Sequence, residues 1–143
     1  MKQQITEHFA LGGVDKFECP CGCGTGSKIE HFDINLFYLL ERIRKRCCEF
    51  AGRDVPVFIN SGGRCWNHHT DIYARLGKPP TKESTHLLKP PKKICGADAS
   101  CPAIPIEEFE KICDEEVGNK GGQGTYSTFM HVDTRGHKKR WGK

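Results

Sequence analysis

The sequence predicts a single α+β domain, and three observations carry that expectation. Two stretches, 33–52 and 105–118, repeat apolar residues at three- and four-residue steps, the period of one helix face. Three others, 55–60, 94–99 and 126–134, are short runs that read as strands. The 143 residues suit one domain with one core, and no repeat or linker divides them.

Along the chain, residues 1–18 are a lead-in whose Ile5, Phe9, Leu11, Val14 and Phe17 are expected to pack on the core. The glycine-rich turn 19–26 follows, with thiols at Cys19, Cys21 and Cys23. The first helix has Asp33 as its N-cap and Gly52 at its end. Its apolar stripe is Leu36, Leu39, Leu40, Ile43, Cys47 and Phe50, with Cys47 a core thiol and Arg42 to Arg46 a solvated face. The strand at 55–60 runs into Ser61-Gly-Gly, a tight turn that delivers Arg64 at a strand end. An arginine there can grip a carboxylate through two parallel hydrogen bonds, or it can serve a structural ion pair.

A short helix is expected over 66–76, stopped by Gly77 and Pro79, with His68 and His69 on the surface. Residues 78–93 hold four of the eight prolines and read as an irregular lip around His86. A strand then brings in Asp98. The second helix starts at Pro105, carries Glu107 and Glu108 at its positive end, and buries Ile106, Phe109, Ile112, Cys113 and Val117. Residues 121–124 read as a flexible rim, 126–134 as the last strand, and 136–143 as a basic tail anchored by Trp141.

Two groups of residues suggest chemistry. His86, Asp98 and His131 are the donor types zinc takes in a catalytic site, two imidazoles and a carboxylate. Their spacing alone favours the plainer alternative, a surface His, a loop Asp and a strand His that never meet. Cys19, Cys21 and Cys23, with Cys65 as a fourth, can present thiolates to one structural metal. Reduced loop cysteines or an opportunistic disulfide are the alternatives. The nine cysteines are an odd number, and the N-terminus lacks the apolar core of a secretory signal, so a reducing compartment is expected.

Ser61-Gly-Gly-Arg64, Ser84-x-His86, Gly96-Ala-Asp98, Phe129-x-His131-Val-Asp133 and Arg140-Trp141 occur in one order. That order resembles the zinc D-Ala-D-Ala carboxypeptidase and L-alanyl-D-glutamate endolysin family (peptidase M15), particularly its small phage and prophage branch. The resemblance spans about residues 5–141. Two departures stand out: an insertion between His86 and Asp98, and Thr128 where many members place an acid.

The resemblance implies one domain over residues 1–143 with a small, mainly antiparallel sheet, the D-Ala-D-Ala peptidase or hedgehog-like zinc fold. It implies a zinc peptidase cutting a peptidoglycan stem or cross-link amide, as a phage endolysin or virion-associated lysin. Zn2+ would be held by His86, Asp98 and His131, with Arg64 on a substrate carboxylate or oxyanion and Ser84 on the substrate. Asp133, two residues beyond His131 on the same strand face, is the candidate general base in place of Thr128; an ion pair with Arg135 or a hydrogen bond to a ligand histidine is the alternative. The alternative is a non-catalytic phage structural or wall-binding protein on the same fold.

Composition narrows the remaining classes. The charge of +4 sits in clusters at 42–46, 89–93 and 135–143, which attract polyanions, but no nucleic-acid-binding motif accompanies them. No run is long enough to span a bilayer. Together with the missing secretory signal, the resemblance implies a monomer when free, made in the cytoplasm and acting on the wall after release or within a virion. Its expected partners are wall peptides and other virion proteins, with no nucleic acid and no membrane.

Overall fold

The structure, a computed structural model, describes residues 2–142. Helix α1 (Ile34–Ala51) is capped by the Asp33 side chain, which accepts from the Asn35 amide at 3.1 Å, and Gly52 ends it at a φ of 70°. Helix α2 (Trp66–Arg75) is capped by the Cys65 sulfur, and α3 (Ile106–Val117) follows Pro105 directly. Two short strands, β1 (Gln3–Gln4) and β2 (Ala10–Leu11), pair antiparallel at the N-terminus. The main sheet contains β3 (Phe58–Ser61), β4 (Gly96–Ser100), β5 (Gly122–Thr125), β6 (Met130–Asp133) and β7 (Lys139–Gly142), in the order β3-β4-β6-β5-β7. The pairs β3–β4, β4–β6 and β5–β6 are antiparallel, and β5–β7 is parallel. The fold is thus α+β with a mixed five-stranded sheet.

Side-chain alternation divides this sheet into a core face and a polar face. On β4, Ala97 and Ala99 join the hydrophobic core, while Asp98 points away. On β6, Met130 and Val132 join the core, and His131 and Asp133 share the opposite face. The core side is filled by Leu36, Phe37, Leu39, Leu40, Ile43 and Cys47 of α1 with Phe109, Ile112, Cys113 and Val117 of α3. Phe17, Phe32 and Phe37 pack as an aromatic cluster with ring centroids 4.9 to 5.7 Å apart, which anchors the N-terminal segment.

Several expectations need correction. Phe50 and Val14 are exposed, while Phe37, outside the expected α1 stripe, is fully buried. Arg42 and Arg46 do not simply face solvent: Arg42 pairs with Glu116, and Arg46 with Glu115 and Glu116, joining α1 to α3. The run 126–134 is no single strand, because a turn closed by the Tyr126 amide on the Phe129 carbonyl (3.2 Å) separates β5 from β6. The glycine-rich rim is β5, and the basic tail contains β7.

Glycine in β5 has a steric cause. A Cβ on Gly124 would lie 2.5 Å from the indole nitrogen of Trp141, on the polar face, where β7 lays that ring against the sheet. Gly124→Ala should therefore cost about 1 to 3 kcal/mol by overpacking. Thermal denaturation checks this; an unchanged melting temperature would mean that Trp141 is free to move aside.

Candidate metal centre

His86, Asp98 and His131 arrive from three separate segments. Asp98 and His131 are direct partners in the β4–β6 register, side by side on the polar face. His86 comes from the loop after α2, where the Arg64 amide donates to its carbonyl at 2.8 Å. The inserted residues between His86 and Asp98 turn back on themselves through paired Lys89 and Lys92 backbone bonds. The Cys95 and Gly96 amides then both donate to the Thr85 carbonyl, at 3.0 and 3.2 Å. The insertion therefore leaves and returns beside His86 without displacing Asp98.

Three atoms converge. His86 Nε2 lies 3.1 Å from His131 Nδ1, and Asp98 Oδ1 lies 3.3 and 3.0 Å from those two nitrogens. Ligands about 2.0 to 2.2 Å from a tetrahedral zinc are separated by about 3.3 to 3.6 Å, so the set fits with only a slight expansion. The tautomers agree with that role. His86 Nδ1–H donates to the Gly62 carbonyl at 2.6 Å, which can only accept, so Nε2 presents its lone pair. His131 Nε2–H donates to Asp133 Oδ2 at 2.9 Å, leaving Nδ1 toward the triad, and Thr85 Oγ1 lies 3.0 Å from the same Nε2.

The electrostatics follow from this arrangement. Burial lowers the His86 pKa and keeps that ring neutral. Burial also opposes charge on His131, but its hydrogen bonds to Asp133 and Asp98 win and raise its pKa. Asp98 is held below the usual carboxylate range, because His86 and His131 outweigh the burial that would raise it.

Asp133 does not have the surroundings of a general base. Its carboxylate is fully buried on the far side of the His131 ring from the triad. The Gly122 amide and the Arg135 amide, Nε and NH2 all donate to it. These partners make it a positioning residue for His131. Thr128 lies exposed in the β5–β6 turn.

The triad sits in a cleft of about 540 Å³. Stacked Tyr126 and Phe129, 4.5 Å apart, and Trp141, 5.1 Å from His131, supply part of its lining, with Ile72 and Tyr73 of α2 and Leu76 just after it contributing more. Ser84 lines the cleft and accepts from the His86 amide at 3.3 Å, so its hydroxyl already serves the loop. Arg64 also lines it: NH2 is 3.8 Å from Asp98, NH1 is 3.3 Å from His69 Nδ1, and the buried Nε has no acceptor among the described residues.

His69, expected on the surface, is completely buried. Its Nε2–H donates to the Thr81 carbonyl at 2.8 Å, so Nδ1 accepts from Arg64 and holds the guanidinium over the cleft. Trp66 and Tyr73 flank its ring at 5.6 and 4.6 Å. The spacing 66, 69, 73 along one helix face was the available sequence signal for that burial. Thr85 and Gly62, which orient the two ligand histidines, had no such signal.

The four other candidate ligands also meet. Cys19, Cys21, Cys23 and Cys65 bring their sulfurs within 4.8 Å of one another, apart from the cleft residues.

These features define an α+β domain with a His2Asp donor set in a partly aromatic cleft and a separate four-thiol cluster. No protein-family model, no curated protein and no solved structure matches the chain. Among the described residues, no helix is long and apolar enough to cross a membrane.

Proposed function

We propose that the chain is a zinc-dependent peptidase that hydrolyses an amide bond in a peptidoglycan stem peptide or cross-link, as its resemblance to peptidase M15 implies. The observation that carries this reading is the convergence of His86 Nε2, His131 Nδ1 and Asp98 Oδ1 in an open cleft. A zinc ion held there supplies a Lewis acid that polarises a carbonyl and lowers the pKa of water from about 15.7 to about 7.

The chain's own groups do the rest. Arg64, which lines the cleft with its guanidinium 3.8 Å from Asp98, anchors a substrate carboxylate or the developing oxyanion. Arg135 and Lys139 add positive charge to the same cleft, which suits acidic wall peptides. Tyr126, Phe129 and Trp141 give the peptide a flat apolar surface. The proton acceptor is Glu83, the one carboxylate among the described residues that lines the cleft besides Asp98. The protein would meet its substrate after release from the producing cell or as part of a virion.

Zymography on purified cell walls tests the activity: a cleared zone, lost with chelator and restored by zinc, is the expected result. Intact walls at every zinc concentration would favour the non-catalytic wall-binding reading, to which the threonine at position 128 lends weight. Two variants test the assigned roles. Arg64→Ala should lower kcat/KM about tenfold or more, the equivalent of roughly 1.5 to 3 kcal/mol for a charge-assisted contact, with a smaller change in melting temperature. Unchanged kinetics with a sharply lowered melting temperature would return Arg64 to a structural ion pair. Glu83→Gln should keep full zinc content yet lose about 100-fold or more in kcat; full activity would remove Glu83 from the mechanism.

A further inference from the structure

The turn at 19–26 lacks the means to hold its shape by packing. From Cys19 to Ser27 it offers cysteines, glycines, one proline, one threonine and one serine, with no large apolar side chain. Its internal backbone bonds are few: the Cys19 amide to the Thr25 carbonyl at 2.8 Å, Gly22 to Cys19 at 3.2 Å and Ser27 to Gly24 at 3.1 Å. Yet the cysteine side chains all face one point. Gly22 and Gly24 adopt φ of 81° and 92°, a left-handed backbone that side chains rarely adopt. Placed between Cys21, Cys23 and Thr25, they coil the chain so that successive thiols return to the same side.

The fourth thiol comes from elsewhere. Cys65 follows Arg64 and caps α2, so it joins the turn to a helix 46 residues away from Cys19. Three sulfur separations are 3.5 Å (Cys19–Cys21), 3.5 Å (Cys21–Cys65) and 3.9 Å (Cys19–Cys65). With Zn–S bonds of about 2.3 Å, the edge of a tetrahedron of sulfurs is about 3.8 Å, so these atoms already sit close to the corners. Two amides point at the sulfurs as they do around thiolate ligands: Cys65 N–H donates to Cys19 Sγ at 3.5 Å, and His68 N–H to Cys65 Sγ at 3.3 Å.

We infer that Cys19, Cys21, Cys23 and Cys65 form a tetrathiolate zinc site that cross-links the N-terminal turn to the start of α2. Four thiolates in tetrahedral array select zinc or iron among the common metals, and a closed set of four protein ligands makes the site structural. It stands on residues outside the triad and does not depend on the peptidase reading. Its position gives it a consequence for the cleft all the same. The segment it clamps contains Gly62, whose carbonyl orients His86, and Arg64. The Gly63 amide also donates to the Phe17 carbonyl at 2.7 Å, just before the cysteine turn begins. The tetrathiolate site thus braces the 62–64 segment from one end.

The experiment uses the full chain, purified under reducing conditions and reloaded with Zn2+ or Co2+. Zinc analysis should give two ions per chain, one for each donor group. His131→Ala should leave one, and the double variant Cys21→Ser/Cys23→Ser should also leave one. Co2+-loaded wild type should show the intense near-ultraviolet thiolate-to-cobalt charge-transfer bands, retained in His131→Ala and lost in the cysteine double variant. If the double variant fails to fold, the wild-type and His131→Ala spectra decide alone. Charge-transfer bands missing from both would overturn the site. So would a protein purified with iron in place of zinc, or two fewer free thiols than the nine cysteines under non-reducing denaturation, which would mark a disulfide. Loss of the triad metal with the charge-transfer bands intact would count against the peptidase reading only.

Discussion

His131→Ala is expected to strip the metal from the triad and abolish lysis of cell walls. The substitution removes one of three donors and also the ring through which Asp133 reaches the centre. Losing only an outer partner of a metal ligand typically costs 10- to 100-fold in affinity or activity, so losing the ligand should exceed that range. The fold should survive, because the Asp133–Arg135 pair and the core residues Met130 and Val132 do not depend on the imidazole. The thiolate cluster serves as an internal control, and circular dichroism verifies folding. A variant with full zinc content and full lysis would mean that the triad is not the catalytic metal site.

The same site should lose metal on acidification in a predictable direction. Binding requires the lone pair of His131 Nδ1, and the raised pKa of that ring means protons begin to compete above the ordinary histidine value of about 6.5. His86, with its lowered pKa, should not be the first to protonate. Zinc retention across a pH series is the measurement. Retention that is flat from neutral to pH 5 would remove the coupling between His131 and its two carboxylates.

How much of this was legible in the sequence depended on whether a residue's partner was local. The two long helices were, because apolar periodicity and caps lie within the segment itself: Asp33, Gly52 and the Leu36 to Cys47 stripe are where the pattern puts them. The donor sets were visible as residue types, and β4–β6 pairing then sets Asp98 beside His131. Strand β5 was not legible, since Gly122 and Gly124 carry no strand propensity and are required only by Trp141, Asp133 and Arg135 folding over them. Strand β7 reads as a charged tail until its parallel pairing with β5 is known. His69 was misjudged because its partners, Arg64 and the Thr81 carbonyl, lie outside the helix. The same distance effect left Asp133 open between a base and a support for a ligand histidine. Strand alternation put it on the His131 face correctly, but only the tertiary structure shows which ring nitrogen it meets.

Asp133→Asn should therefore behave as the loss of a buried support rather than of a proton acceptor. The carboxylate is fully buried and receives the Arg135 guanidinium and two backbone amides; an amide in its place breaks the Arg135 ion pair. Breaking a buried pair by removing one partner costs about 3 to 5 kcal/mol, a fall in melting temperature on the order of 10 °C for a domain of this size. Zinc affinity at the triad should fall about 10- to 100-fold, because His131 loses the acceptor that fixes its tautomer. The pH dependence has a definite sign. Burial alone would raise the Asp133 pKa, but the hydrogen bonds from His131 and Arg135 outweigh it and hold the pKa below the usual carboxylate range. A group lowered in the folded state contributes stability above its unfolded pKa, about 3.9, and loses it as pH falls toward the folded value. The gap in melting temperature between wild type and Asp133→Asn should thus be widest near neutrality and narrow below about pH 4. With zinc saturating, Asp133→Asn should keep most of the kcat that Glu83→Gln loses. A stable, zinc-replete Asp133→Asn protein that has lost its kcat would restore Asp133 as the base and remove Glu83 from that role.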